Sequence, residues 1–248
     1  MNIVAIIPAR FQSTRFPGKP LALIHGKSMI NRVVEQVQKA HGLSRVVVAT
    51  DDQRIVKHVQ DFGGEVILTD IHHINGTSRC LETLEILQNA SLKIDAVINV
   101  QGDEPGIHPE QIEQLIHLMH HSEVEIGTLV KKIDSEETLF NPNVVKVVIG
   151  DDNHALYFSR QAIPFLRGID KNQWLTRHTY YKHIGMYGYR SEILQKIMEL
   201  PPGKLEQAES LEQLRWLENR ITISTQITDY ESIGIDTPDD LQKLTNIF

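Results

Sequence analysis

The stretch Ile3-Val-Ala-Ile-Ile-Pro-Ala-Arg-Phe-Gln-Ser-Thr-Arg-Phe-Pro-Gly-Lys-Pro20 begins with an unbroken apolar run and passes directly into a cationic loop. A β-branched run with no polar alternation predicts a strand buried on both faces, as in a parallel sheet covered by helices. Three similar runs follow at Arg45–Ala49, Glu65–Leu68 and Ala96–Val100. Amphipathic stretches separate or follow them at Met29–His41, Gln53–Phe62, Thr77–Gln88 and Pro109–His120, with apolar residues at helical spacing. Short strand, longer helix and short connection in alternation define an α/β fold with a mostly parallel sheet.

The second half is mixed. Strands are expected at Ile126–Val130, Val144–Ile149, Leu156–Phe158, Ile184–Tyr189 and Thr222–Ile227, with helices over Leu205–Asn219 and from Pro238. The polar stretch Arg167–Lys182 reads as a mobile flap or long loop. No repeat, low-complexity run or linker divides the chain, so residues 1–248 are expected to form one domain.

The formal net charge of -7 argues against a nucleic-acid partner or an anionic membrane surface. No apolar run approaches the ~20 residues of a membrane span, so no membrane insertion is expected. The single cysteine, Cys80, cannot form an internal disulfide, which fits a cytoplasmic protein. Cys80 also lacks the neighbours of a nucleophile. The doublets His72-His73 and His120-His121 do not make metal sites, because adjacent side chains point apart.

Against that acidic background, Arg10, Arg15, Lys19, Lys27 and Arg32 all precede the first acid, Glu35. The loop is not a P-loop, since Ser13 stands where its first glycine belongs and Pro20 follows Lys19. It can still wrap a triphosphate, with Arg10, Arg15 and Lys19 as cations and Ser13 and Thr14 as hydroxyl donors. Ordinary solvated charge is the competing reading. Ligands of parallel sheets bind beyond the strand carboxyl ends, and that is where this loop begins.

The other strand ends carry acids: Ala49-Thr50-Asp51, and Val100-Gln101-Gly102-Asp103-Glu104-Pro105. Asp103 suits Mg²⁺, with Glu104 as a competitor and a turn or cap as the plain alternative. In Gly234-Ile-Asp-Thr-Pro-Asp-Asp240, Thr237 is the expected N-cap and Asp240 its capping-box acid, which leaves Asp236 as a second metal candidate or an Asx-turn residue. Strand alternation over Lys182–Tyr189 puts His183, Gly185, Tyr187 and Tyr189 on one face, suited to a polyhydroxylated ligand or to the core. Glu212 and Gln213 fall off the stripe of Leu211, Leu214 and Leu217, so they read as sugar-hydroxyl acceptors or as helix surface. Arg160 can pair with a substrate carboxylate or in a surface salt bridge.

Taken together, the segments PARFQSTRFPGKPL, VATDD, NGTSR, NVQGDEP, NPNVVKVV, ALYFSRQAIP, KHIGMYGYR, SLEQLRWL and GIDTPDDL resemble the 3-deoxy-manno-octulosonate cytidylyltransferases, or CMP-Kdo synthetases. The resemblance implies a nucleotide-diphospho-sugar transferase-like α/β sandwich with a smaller sugar-binding and dimerisation region, and a homodimer. It implies the reaction of CTP with 3-deoxy-manno-octulosonate (Kdo) to give CMP-Kdo and pyrophosphate for lipopolysaccharide synthesis. By the same resemblance, Ala9, Arg10, Ser13, Lys19, Thr50, Asp51, Gly76, Thr77, Arg79 and Gln101 lie on the CTP side. Arg15, Gln101, Arg160, His183, Tyr187, Glu212 and Gln213 would surround the sugar acid, and Asp103 and Asp236 would hold Mg²⁺. Arg10, Lys19 and Asp103 would be catalytic. The family usually carries an acid where this chain has Ser78 in Asn75-Gly-Thr-Ser-Arg79. The rival expectations are another sugar acid, such as sialic acid or an amino-substituted Kdo, and a silent nucleotide-sugar sensor.

Overall fold

The computed structural model describes residues 1–12, 16–231, 234–235, 237 and 239–241. In chain order these form β1 (Ile3–Ala9), β2 (Leu23–Ile24), β3 (Lys27–Ser28), α1 (Met29–Val37), β4 (Arg45–Thr50), α2 (Gln53–Asp61), β5 (Glu65–Leu68), α3 (Gly76–Asn89) and β6 (Ala96–Asn99). There follow α4 (Pro109–Met119), β7 (Ile126–Lys132), α5 (Glu136–Phe140), β8 (Lys146–Ile149), β9 (Ala155–Ser159), α6 (Trp174–Arg177) and β10 (Tyr181–Arg190). The last are α7 (Ser191–Met198), α8 (Lys204–Glu209), α9 (Gln213–Glu218) and β11 (Ile223–Ile227).

The main sheet runs β11-β7-β10-β6-β1-β4-β5. Strands β6, β1, β4 and β5 are parallel, as are β11 and β7, while β10 runs antiparallel between β6 and β7. Strands β8 and β9 extend the sheet from β10. The opening apolar run is buried on both faces, as its composition requires. Ile3, Ala5 and Ile7 pack with Ile30, Val33, Ile55 and Leu115 from α1, α2 and α4, whereas Val4 and Ile6 pack with Cys80, Leu84 and Leu194 from α3 and α7.

The chain steps outward from β1 to β4 and β5, then returns to lay β6 on the other side of β1. That reversal opens a crevice beyond the carboxyl ends of β1 and β6, the ordinary ligand position in such sheets.

Local sequence explains the helix starts near this crevice. Asp52 caps α2 by accepting from the Arg54 amide at 2.9 Å, and Asn75 caps α3 by accepting from the Ser78 amide at 2.9 Å. Thr237 and Asp240 form the expected reciprocal cap, the Thr237 amide donating to Asp240 at 3.0 Å and the Asp240 amide to Thr237 Oγ1 at 3.3 Å. Pro238 and residues 242–248 of the expected final helix lie outside the described residues.

Two expectations need correction. The helix expected over Leu205–Asn219 is broken into α8 and α9, because Ser210 adopts a left-handed conformation at φ 53°. The stretch Arg167–Lys182 is not a flap: it carries α6 and the first residues of β10, and its Trp174 and Tyr180 are buried with Ile133 and Leu139. Trp174 Nε1 donates to the Ile169 carbonyl at 3.0 Å, and Tyr180 Oη donates to the Pro164 carbonyl at 2.9 Å. Polar composition concealed two aromatic anchors that repay the ordering of the segment.

Trp174→Ala should therefore destabilise the protein by about 3–5 kcal/mol and expose residues 167–182 to proteolysis. Urea unfolding with limited digestion checks this, and a variant as stable and as resistant as wild type would contradict it.

Candidate active site

The loop after β6 reaches the crevice through a close backbone approach. A Cβ on Gly102 would lie 2.6 Å from the Pro8 carbonyl oxygen, so only glycine lets this loop pass over the end of β1. Gln101 Nε2 donates to the Gly185 carbonyl at 3.0 Å, tying the loop to β10. The loop after β1 is closed by the Gly18 amide donating to Phe11 at 2.9 Å, with Gly18 at φ 72°. Lys19 follows at once. Its Nζ donates to Asp103 Oδ2 at 2.6 Å and to the Ile235 carbonyl at 2.8 Å, while the Ile235 amide donates to the Asp103 carbonyl at 2.9 Å. The expected site residues Ser13, Arg15 and Asp236 lie outside the described residues.

The neighbouring strand ends build a second cluster. Ala9 pairs with Thr50 across β1 and β4, which sets Arg10 beside Asp51. Arg79, fully buried on the first turn of α3, donates from Nη2 to Asp51 at 3.1 Å and from Nη1 to Thr69 Oγ1. Burial and the adjacent Arg79 hold the Arg10 guanidinium below its ordinary pKa, with Asp51 opposing them. Two guanidiniums thus face one carboxylate among the described residues. Gly76 packs over the first strand, its Cβ position 3.4 Å from Pro8.

The third cluster begins where the second ends. Glu212 accepts from Thr77 Oγ1 at 2.7 Å, from Asn75 Nδ2 at 2.8 Å and from Arg215 Nη2 at 2.8 Å. Burial raises the pKa of this carboxyl, and those three donors oppose the rise. The break at Ser210 lets both sides of the turn be used. Glu209 accepts from Ser159 Oγ at 2.6 Å and from the Arg160 amide at 2.9 Å. The Arg160 side chain donates to the carbonyls of Glu209 at 2.8 Å, Pro142 at 3.3 Å and Ser210 at 3.4 Å. Three of five guanidinium donors are thereby engaged, leaving one N–H on each terminal nitrogen for a carboxylate. Gln213 is buried at the start of α9.

On β10, pairing with β7 jumps from Ile184–Leu129 to Tyr187–Thr128, so two extra residues bulge outward. An even number preserves strand parity. Ile184 and Met186 pack on one side, and Tyr187 and Tyr189 on the other, as alternation predicts. The His183 ring lies 5.1 Å from Tyr187 and 5.2 Å from Phe158. Thr128 Oγ1 donates to the Met186 carbonyl at 2.8 Å, so His183 Nε2–H is the donor in the 3.0 Å contact with Thr128. His183 Nδ1 is then left as an acceptor. Burial pulls the imidazole pKa down to about 3, and burial pushes the Tyr187 phenol well up. His183, Gly185, Glu104 and Asn143 line a cleft of about 650 Å³.

The structure thus brings Lys19 and Asp103 together, Arg10, Asp51 and Arg79 together, and Thr77 together with Glu212. Arg160, His183, Tyr187 and Gln213 surround the Glu212 turn from β9, β10 and α9. Sequence reasoning passed over Asn75, Thr69, Thr128 and Glu209, whose polar contacts orient these groups. Asn75 alone left a readable signal, as the capping type directly before a helix.

An α/β sheet with cations at its switch point, and a hydroxyl-binding wall opposite, defines a nucleotidyltransferase-type site. The cytidylyltransferase family model matches residues 4–223, and the chain belongs to this family. It is 53% identical to a 3-deoxy-manno-octulosonate cytidylyltransferase of Cytophaga hutchinsonii, over 99% of this chain and 97% of that protein. It is 47% identical to the same-named protein of Thermodesulfovibrio yellowstonii, over 98% of this chain and 96% of that protein. A solved structure of CMP:2-keto-3-deoxy-manno-octonic acid synthetase complexed with CTP superposes with a TM-score of 0.91 at 40% identity, covering 100% of this chain and 98% of that one. The nucleotide-diphospho-sugar transferase-like fold extends to a 4-diphosphocytidyl-2C-methyl-D-erythritol synthase of Anaerococcus prevotii, with a TM-score of 0.62 at 13% identity over 99% of this chain and 97% of that one.

Two outcomes follow from this geometry. Gly102→Ala should displace the 101–104 loop and reduce turnover by about 10²-fold while the protein stays folded; wild-type turnover would contradict the close approach. His183 should stay neutral at neutral pH, and since its native pKa of about 3 lies below the unfolded 6.5, its share of stability falls as pH drops through that window. Histidine NMR should show one ring without a midpoint between about pH 5 and 8; assignment of a midpoint near 6.5 to His183 would contradict its burial.

Proposed function

We infer that this protein transfers CMP from CTP to the anomeric hydroxyl of Kdo, giving CMP-Kdo and pyrophosphate and activating Kdo for lipopolysaccharide biosynthesis. The observation that carries this reading is the uncompensated positive charge of Arg10 and Arg79 around Asp51, one strand away from Lys19, at the switch point of a cytidylyltransferase sheet. A triphosphate supplies the missing negative charge. The opposite wall fits a sugar acid: the remaining Arg160 donors meet its carboxylate, and His183 Nδ1, Tyr187, Glu212 and Gln213 meet its hydroxyls. The names of the relatives supply the identity of both substrates.

The sugar's anomeric oxygen attacks the α-phosphorus in line, and the bond to pyrophosphate breaks. Negative charge grows on the phosphoryl oxygens and the leaving group. Arg10 and Lys19 are already held by the fold to meet it, so little reorganisation is required at the moment of reaction. Ser13 and Arg15 belong to the same loop and are assigned to the phosphates, Arg15 alternatively to the sugar carboxylate. Ala9, Thr50, Gly76 and Thr77 border the nucleotide, and Gln101 stands between the two substrates.

Among the described residues no group of three His, Cys, Asp or Glu side chains forms a closed metal cage. One or two carboxylates completed by phosphates and water is the ordinary Mg²⁺ arrangement, and the short, partly buried Asp103 fits it, with Asp236 as its assigned companion. Bound there, Mg²⁺ would supply charge neutralisation at the phosphate oxygens. The exposed apolar side chains of Leu156 and Phe165 are surface that a homodimer would cover, and the single buried thiol of Cys80 suits a cytoplasmic protein. No helix among the described residues is long and apolar enough to cross a membrane.

Pyrophosphate release from CTP with Mg²⁺ should depend on added Kdo. Release with sialic acid alone would replace the sugar, and nucleotide binding without release would overturn the catalytic reading. Lys19→Ala and Asp103→Asn should each lower turnover by about 10²–10³-fold with little change in melting temperature; near-wild-type turnover in either would remove that residue from the machinery.

A further inference from the structure

Segment Asn141-Pro-Asn-Val-Val-Lys146 lies between α5 and the first residue of β8, and the reaction as derived makes no use of it. Lys146 is fully buried, an uncommon state for a lysine unless its charge is matched. Its Nζ donates to the carbonyl oxygens of Asn141 at 2.8 Å, Val144 at 2.6 Å and Arg160. Burial lowers its pKa and the neighbouring Glu209 carboxylate opposes that shift.

An ammonium group has three protons, and all three are engaged. Lys146 is therefore not a substrate ligand. What it holds is informative: two carbonyls of the 141–144 turn and the backbone of Arg160. The same turn receives the Arg160 side chain at the Pro142 carbonyl, and the next residue, Val145, accepts from the His183 amide at 2.9 Å. Asn141, Asn143, Val144 and Val145 line the cleft that also contains His183. Glu209 grips Arg160 from the opposite side, at its amide.

We propose that Lys146 is a positioning residue for the sugar-acid subsite, its ammonium locking the 141–144 turn to Arg160 so that the guanidinium is pre-aimed at the substrate carboxylate. The proposal rests on the assignment of Arg160 to that carboxylate. A purely apolar residue at 146 would leave three carbonyls facing a buried void, and the turn and Arg160 would then move independently. A misplacement of that kind is felt by the sugar and not by the nucleotide, whose contacts come from other strand ends.

The test is steady-state pyrophosphate release by the full chain with Mg²⁺, on Lys146→Met, Arg160→Ala and the double variant. Lys146→Met should raise the KM for Kdo by about 10- to 100-fold and leave the KM for CTP near wild type. The double variant should be no worse than Arg160→Ala alone, because both changes remove one aimed group. If Lys146→Met fails to fold, Lys146→Gln, which keeps two donors on a shorter stem, should show the same one-sided rise in smaller measure. A lowered melting temperature with both KM values unchanged, or equal rises for Kdo and CTP, would overturn the proposal. A raised KM for Kdo in Arg160→Ala with none in Lys146→Met would break the link between the two. An unchanged KM in Arg160→Ala would overturn the proposal at its premise, the role of Arg160.

Discussion

One ammonium group joins three distant parts of the chain. Lys19, from the loop after β1, holds the Asp103 carboxylate from the loop after β6 and the Ile235 carbonyl near the C-terminus. The rest of the crevice depends on that node, because it fixes the cationic loop against the acidic one at the point where the sheet reverses direction. Both partners are groups the reaction needs elsewhere: the ammonium at the phosphates, the carboxylate at a cation. Without ligand, each neutralises the other in a partly buried setting where an isolated charge would be costly. The pair therefore keeps the site assembled and leaves its charges available for exchange when a polyanion and its cation arrive together.

A second joint connects the two substrate sides. Glu212 collects Asn75 and Thr77 from the start of α3 and Arg215 from its own helix, so the nucleotide wall and the sugar wall share a buried carboxylate. The left-handed turn at Ser210 makes this possible by redirecting the chain between Glu209 and Glu212. Glu209 serves Arg160, two residues later Glu212 serves Thr77, and a continuous helix would have pointed them differently. Rigid connections of this kind suit a reaction whose catalysis is electrostatic, since preorganised charge acts only while it is held in place.

Much of this was legible in the sequence, for physical reasons that differ by region. Strands β1, β4 and β5 are near-continuous apolar runs, and burial on both faces is what such runs mean. The Thr237–Asp240 cap and the close approach of Gly102 could likewise be read, because few other residues satisfy those geometries. The break at Ser210 could not, since Leu211, Leu214 and Leu217 keep helical spacing across it and local spacing carries no account of tertiary partners. Trp174 and Tyr180 were hidden among polar neighbours, and Lys146 was hidden inside Val-Val-Lys-Val-Val, where a strand reading gives no hint that a charge is buried and satisfied by three carbonyls.

The exchange at Lys19 has a signature that can be measured without turnover. Calorimetric titration of CTP into metal-free protein should show Asp103→Asn binding CTP more tightly than wild type, because the substitution removes a carboxylate that repels the triphosphate and competes for Lys19. Equal or weaker binding would contradict the account, and would mean that Asp103 supports the nucleotide site without trading partners with it.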